Sequence, residues 1–175
     1  IYAEDINNEK WIIPIEWKYT EAYGDSSKDD KSLEDYEWRK RGHGKGEERM
    51  RRYNGLITQS QQLKSLENYE SSAYYFEPFY QLMRQTLWAE QMIKNKGTER
   101  IKADHYLHIH VVPKANADLL GKTYKFSNQN MEATWRNMLN EQLKYIIIDP
   151  QELMDPIKSR CPELYNYLKI RYYDK

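Results

Sequence analysis

The stretch Ile12-Ile13-Pro14-Ile15-Glu16-Trp17-Lys18-Tyr19-Thr20-Glu21 decides the reading of this chain. Rich in Ile, Trp and Tyr, it belongs to a strand predicted from about Trp11 to Thr20, the second arm of a β-hairpin. The first arm is Ile1 to Glu4, and the polar turn is Asp5-Ile6-Asn7-Asn8-Glu9-Lys10. Pro14 has no N–H to give to a ladder, so it predicts an edge position or a bulge. Along a strand alternate side chains share a face, which places Glu16 and Lys18 on one side about 7 Å apart. A carboxylate beside an ammonium, flanked by apolar residues, sits where desolvation tunes both groups. The carboxylate can hold a divalent metal through hard oxygen ligands. The lysine can orient or deprotonate water, or neutralise a phosphate in an in-line displacement.

Outward from this stretch, the pattern alternates strands and helices. Phe79, Leu82, Met83, Thr86, Leu87 and Ile93 recur at helical spacing, with Pro78 placed for a first helical turn. A strand is predicted from Asp104 to Val112, a helix from Met131 to Leu143, and a buried strand over Tyr145-Ile146-Ile147-Ile148. Asp149-Pro150 starts a further helix, and a last one covers about Pro162 to Tyr172. The order predicts a mixed α/β domain with one central sheet.

The composition narrows the class. The chain has 175 residues, enough for one domain but not two ordinary ones. The 27 basic residues balance 27 acidic ones, so the net charge names no partner, although local segregation of charge still can. With 16 Tyr, 5 Trp and 3 Phe the chain is too aromatic to be disordered. The single cysteine, Cys161, excludes a disulfide scaffold and a cysteine-based zinc finger, and fits a reducing cytoplasm. No apolar run reaches the roughly 18 to 20 residues of a membrane helix. A soluble, cytoplasmic, single-domain protein is expected.

Two further clusters carry chemistry. From Tyr23 to about Arg52, serines, aspartates and Gly42, Gly44 and Gly46 predict a polar loop or flap. Within it Arg39, Lys40, Arg41, Lys45, Arg49, Arg51 and Arg52 form a basic run, interleaved with Trp38, His43 and Tyr53, that suits phosphate contacts and base stacking. The glycines are not a phosphate loop, since no strand leads into them and no Lys-Ser/Thr follows. On the later strand Asp104, Tyr106, His108 and His110 share a face, and His108-x-His110 has metal-ligand spacing. Paired histidines on a half-buried strand more often serve the core.

An acid, any residue, then lysine on the second strand of a hairpin resembles the signature half of the PD-(D/E)XK nuclease superfamily, matched by Glu16-Trp17-Lys18. Tyr19-Thr20-Glu21 and the later Glu77-Pro78-Phe79-Tyr80-Gln81-Leu82-Met83-Arg84-Gln85 resemble its bacterial restriction-endonuclease-like members. The resemblance implies an α/β, restriction-endonuclease-like central mixed β-sheet flanked by helices. It covers a core from residue 1 to about 112, with residues 113–175 as a C-terminal α/β extension of the one domain. It implies metal-dependent hydrolysis of phosphodiester bonds in DNA with Mg²⁺ or Mn²⁺. Glu16 would bind the metal, and Lys18 would position water or stabilise the phosphate. A helix residue would reach the site, either Gln81 or Gln85, with Gln81 taken as the candidate. The basic run and Arg84 would hold the DNA, and a homodimer is expected.

The superfamily pairs this motif with an aspartate on the preceding strand. Asp5 is the nearest acid, but a turn centred between Asn7 and Asn8 leaves it opposite Lys10, far from Glu16. The missing aspartate is therefore expected before Ile1, leaving this stretch impaired by itself. Two alternatives stand beside this reading. One is a catalytically inactive nucleic-acid-binding module of the same fold. The other is a histidine-triad-like nucleotide hydrolase, which Tyr106-Leu107-His108-Ile109-His110-Val111-Val112-Pro113 resembles, with His110 as nucleophile and Tyr106 replacing the first histidine.

Overall fold

A computed structural model describes residues 1–18, 45–65, 73–124 and 127–172. Strand β1 (Tyr2–Glu4) pairs antiparallel with β2 (Lys10–Ile12), with Tyr2 opposite Ile12 and Glu4 opposite Lys10. The hairpin turn is held by Asp5, whose carboxylate accepts the backbone N–H of Asn7 at 2.8 Å, that of Glu9 at 2.9 Å and the indole N–H of Trp11 at 3.1 Å. Asn8 takes a left-handed φ of 62°, a conformation asparagine tolerates. The register is thus one residue away from the expected one, so Glu4, not Asp5, faces Lys10.

The expected long strand is broken. After β2 the chain bends at Ile13-Pro14 and resumes as β3 (Ile15–Trp17). Its partner is broken in parallel, into β4 (His105–Tyr106) and β5 (His108–Val111). Two three-stranded sheets replace the single one expected, in the orders β1-β2-β4 and β3-β5-β6, with β6 spanning Tyr145–Ile148. Trp11 pairs with His105 and Ile15 with Ile109, the same offset on both sides of the break. The Pro14 carbonyl still accepts the N–H of Ile109 at 2.9 Å. The break is therefore one missing donor and a bend within a single line of parallel pairing.

Helices cover this framework. The stretch expected to be a loop up to Arg52 is helical from Lys45: α1 runs Lys45–Gln59. Met50, Tyr53, Leu56 and Ile57 give it an apolar stripe packed on the core, and Arg52 pairs with Glu48 one turn away. Helix α2 (Phe79–Lys94) buries Phe79, Leu82, Met83, Thr86, Leu87 and Ala89, as the periodicity predicts. A short α3 (Ala117–Leu120) precedes α4 (Met131–Asn137), which stops six residues short of the expected Leu143. There the Arg136 guanidinium donates to the carbonyls of Gln142 and Tyr145, both at 3.1 Å, and ties the turn that feeds β6. Asp149 caps α5 (Pro150–Met154) by accepting the N–H of Gln151 at 2.8 Å, and α6 (Pro162–Tyr172) closes the described chain.

One buried cluster joins α1, α2, α3, α4 and β6. Tyr74, Phe79, Trp135 and Tyr145 are its largest members, and Trp135 lies within 6.4 Å, ring centre to ring centre, of Phe79 and Tyr145. Residues beyond 112 therefore build the same core as α2. No described helix is long and apolar enough to cross a membrane. Cys161 is a free, exposed thiol.

Candidate active site

The face of the sheet turned toward α2 is polar at its centre. The register places Glu16 beside His110, which in turn lies beside Ile147, and His108 beside Tyr145. Side chains alternate along a strand, so Lys18 joins Glu16 on this face. Lys18 is only 4% exposed, and its Nζ lies 2.7 Å from Glu16 Oε1. The Glu16 side chain is 14% exposed. Taking two charges out of water costs several kcal/mol each unless further hydrogen bonds complete them.

The completion comes from α2. Gln85 Nε2 donates to Glu16 Oε2, and Gln85 Oε1 lies 2.8 Å from His108 Nε2. Thr86 Oγ1 lies 3.2 Å from His108 Nδ1. Only one arrangement of protons satisfies this chain. His108 is neutral with its proton on Nε2, donating to Gln85, while Nδ1 accepts from the Thr86 hydroxyl. Burial supports neutrality by pushing the His108 pKa down to about 3. Three groups thus point their donors, one after another, toward the Glu16 carboxylate.

His110 is fully buried and forms a second branch, with Nδ1 2.9 Å from the Tyr145 hydroxyl. Burial, then His108 and Lys18, lowers its pKa to about 3 as well. Its Nε2 has no hydrogen-bond partner among the described residues. Burial also raises the Tyr145 hydroxyl well above the ordinary phenol range, so it stays protonated.

Glu77, just before α2, brings a second carboxylate into the field of this pair. Desolvation raises its pKa, Arg49 and Lys18 pull it down, and the Glu16 charge pushes it up again. One oxygen faces Arg49 Nη2 at 3.5 Å, while the other, Oε2, is buried with no hydrogen-bond partner. Arg49 also donates to the Tyr75 carbonyl at 2.9 Å and stacks over the Tyr80 ring at 3.8 Å. A cleft of about 600 Å³ opens beside Glu16, lined on the helical side by Tyr53, Gln81, Arg84, Gln85, Trp88 and Gln91.

The sequence-derived candidates divide on this map. Glu16 and Lys18 meet as an ion pair beside the cleft, and Gln81 lines the same cleft. Gln85, the other helix amide, is the one that reaches Glu16. Arg84 is exposed at the cleft, Arg51 and Arg52 are exposed on α1, and Arg49 is turned inward onto Glu77 and Tyr80. Arg39, Lys40, Arg41, Trp38, His43 and Tyr19 to Glu21 lie outside the described residues, as does the side chain of Lys45. Asp5 is consumed by its turn, where its carboxylate accepts the N–H groups of Asn7 and Glu9. His108 has both ring nitrogens engaged within the protein, which removes the His108-x-His110 pair as a two-histidine metal site. The sequence assigns no role in the site to Glu77 or Tyr145, and to Trp88 only a place opposite the apolar stripe of α2. A helix whose apolar stripe carries Thr86, opposite a strand carrying two histidines, was the available sign of a buried polar layer.

An α/β core holding a buried acid–lysine pair at the end of a parallel strand, beside a cleft, is a restriction-endonuclease-like arrangement. Residues 4–173 match the family described as "Restriction Endonuclease associating with ARP", and the chain belongs to that family. No curated protein and no solved structure matches it.

Proposed function

We propose that this protein hydrolyses phosphodiester bonds in DNA by a PD-(D/E)XK-type, metal-dependent mechanism. The observation that carries the reading is the Lys18–Glu16 pair, 2.7 Å apart, with Lys18 buried and Glu16 on the wall of a cleft. A carboxylate has about four lone-pair positions, and Lys18 and Gln85 occupy two of those on Glu16. The remaining positions on Glu16 are hard-oxygen donors beside the cleft, although no cluster of three or more metal-ligating side chains forms among the described residues. Such donors fit Mg²⁺ or Mn²⁺, which bind through one or two carboxylates and keep several waters. When bound, such an ion supplies charge stabilisation at the scissile phosphate.

The residues of the chain do the rest. Lys18 sits 2.7 Å from the Glu16 carboxylate, where it would neutralise a phosphate oxygen or orient the attacking water. Gln85 fixes the Glu16 carboxylate so that its free lone pairs face the cleft. Arg84, with Arg51 and Arg52, offers cations to the DNA backbone.

The test is plasmid cleavage by the full chain with Mg²⁺ or Mn²⁺. Lys18→Met and Glu16→Gln are each expected to lower the rate by about a hundredfold or more, the scale of losing one preorganised stabilising group. Salt-sensitive DNA binding with no cleavage under either metal overturns the enzyme in favour of an inactive binding module. Loss of nucleotide hydrolysis in His110→Ala but not in Glu16→Gln overturns it in favour of the histidine-based hydrolase.

A further inference from the structure

The solvent face of α2 carries an unusual residue for a solvent face. Trp88 is 48% exposed, on a helix whose apolar stripe is otherwise well buried. It does not stand alone. Gln81, Arg84, Gln85, Trp88 and Gln91 recur at intervals of three and four, so they form one continuous strip. That strip lines the cleft, and Tyr53 of α1 lines it too. The strip begins beside Glu16, to which Gln85 is bonded.

The chemistry of the wall selects its ligand. An exposed indole offers a flat apolar surface on which any nucleobase can stack. Amides supply a donor and an acceptor together, the complement of a base edge. Gln81 makes no side-chain hydrogen bond among the described residues, and Gln91 accepts only a long one, 3.4 Å from Asn95. Arg84 stands among them with its charge exposed, suited to the phosphate that accompanies the base. The cleft volume of about 600 Å³ lies within the range of sites that enclose a small molecule. A base inside an intact duplex is stacked on both faces and cannot lie on Trp88.

We propose that this cleft receives an unstacked base, so that the protein engages single-stranded or locally opened DNA, with Trp88 as its stacking surface. The reading deepens the nuclease proposal, because the phosphate next to the seated base falls at Glu16 and Lys18. Binding itself needs no metal, so it is measured apart from cleavage.

The experiment is fluorescence anisotropy of labelled oligo(dT) and of a labelled duplex of equal length, in EDTA at one fixed salt concentration. The full chain is compared with its Trp88→Ala, Trp88→Phe and Lys18→Met variants, each checked for folding by circular dichroism. The intact chain should bind oligo(dT) more tightly than the duplex. Trp88→Ala should lose about ten- to a hundredfold in oligo(dT) affinity, Trp88→Phe should keep most of it, and the weaker duplex binding should change little. Equal loss on duplex and single strand, unchanged oligo(dT) binding in Trp88→Ala, or preference of the intact chain for duplex overturns the proposal. Strong oligo(dT) binding by a chain that cleaves nothing would remove the enzymatic reading and leave this one standing.

Discussion

Gln85 stands between two buried polar groups that its removal would strand. Its amide N–H satisfies Glu16 Oε2 and its carbonyl satisfies the proton on His108 Nε2, on neighbouring strands. Gln85→Leu keeps comparable bulk but leaves both without their partner. An unsatisfied buried group costs about 1–3 kcal/mol, so urea unfolding should show a loss on that scale. A second measurement separates positioning from plain packing. ¹⁵N shifts of His108 should report the Nε2–H tautomer in the intact chain and a mixture in Gln85→Leu. A single Nε2–H tautomer in both would show that Gln85 does not set the proton. Unchanged stability would show that the hydrogen-bond chain carries no weight.

At the scale of elements, the interface of α2 with β5 fixes how the fold responds to acid. His108 and His110 have pKa values of about 3 against an ordinary 6.5, so the fold holds them neutral where the unfolded chain protonates them. Their stabilising contribution is whole above pH 6.5 and drains away as pH falls toward 3. The limiting slope is about 1.4 kcal/mol per pH unit for each histidine. Glu77 works in the opposite sense, since its raised pKa favours the protonated form and eases folding in acid. Urea midpoints should therefore fall steeply from pH 6 to pH 4, and His110→Phe should flatten the fall. Equal midpoints at pH 7 and pH 4.5 would contradict the buried neutral pair. This interface also shows what the sequence can disclose. The stripe of α2 was legible because it has one buried face and a clear period, and β6 because it is a short apolar run, although only Tyr145 in it is fully buried. The bend at Pro14 was legible as an obstacle but not as a split of the sheet, because the sequence does not show where β4 will also break. Residues 45–52 read as loop because three glycines and many charges outweighed a stripe, Met50 to Ile57, that shows its purpose only against α2. Glu16 and Lys18 could be paired from spacing alone. Glu77 and Gln85 could not, since their approach depends on how α2 lies across the strands.

Across the whole molecule, the candidate-site face and the C-terminal third share one core. Tyr145 bonds His110 on the site side and touches Trp135 on the core side, and Trp135 in turn packs on Phe79 at the start of α2. Leu119, Met131, Trp135, Leu139 and Tyr145 are all buried in the cluster that also holds Leu82, Met83 and Leu87. β6 supplies an entire flank of the parallel pairing to β5, four residues deep. A chain ending at Pro113 would leave one edge of β5 without partners and strip Leu119, Met131, Trp135, Leu139 and Tyr145 from the cluster that covers the inner face of α2. Losing even one such aromatic to alanine costs about 3–5 kcal/mol, against a total stability for a domain of about 5–15 kcal/mol. Truncation at Pro113 should therefore abolish cooperative unfolding and near-ultraviolet circular dichroism, and with them DNA binding at the cleft. A truncated chain that still unfolds cooperatively and binds oligo(dT) would mean that the active-site strands and α2 fold on their own, with residues 113–175 only added to them. The route from Trp135 through Tyr145 to His110 argues the other way, because it makes the last third of the chain the floor on which the Glu16–Lys18 pair is set.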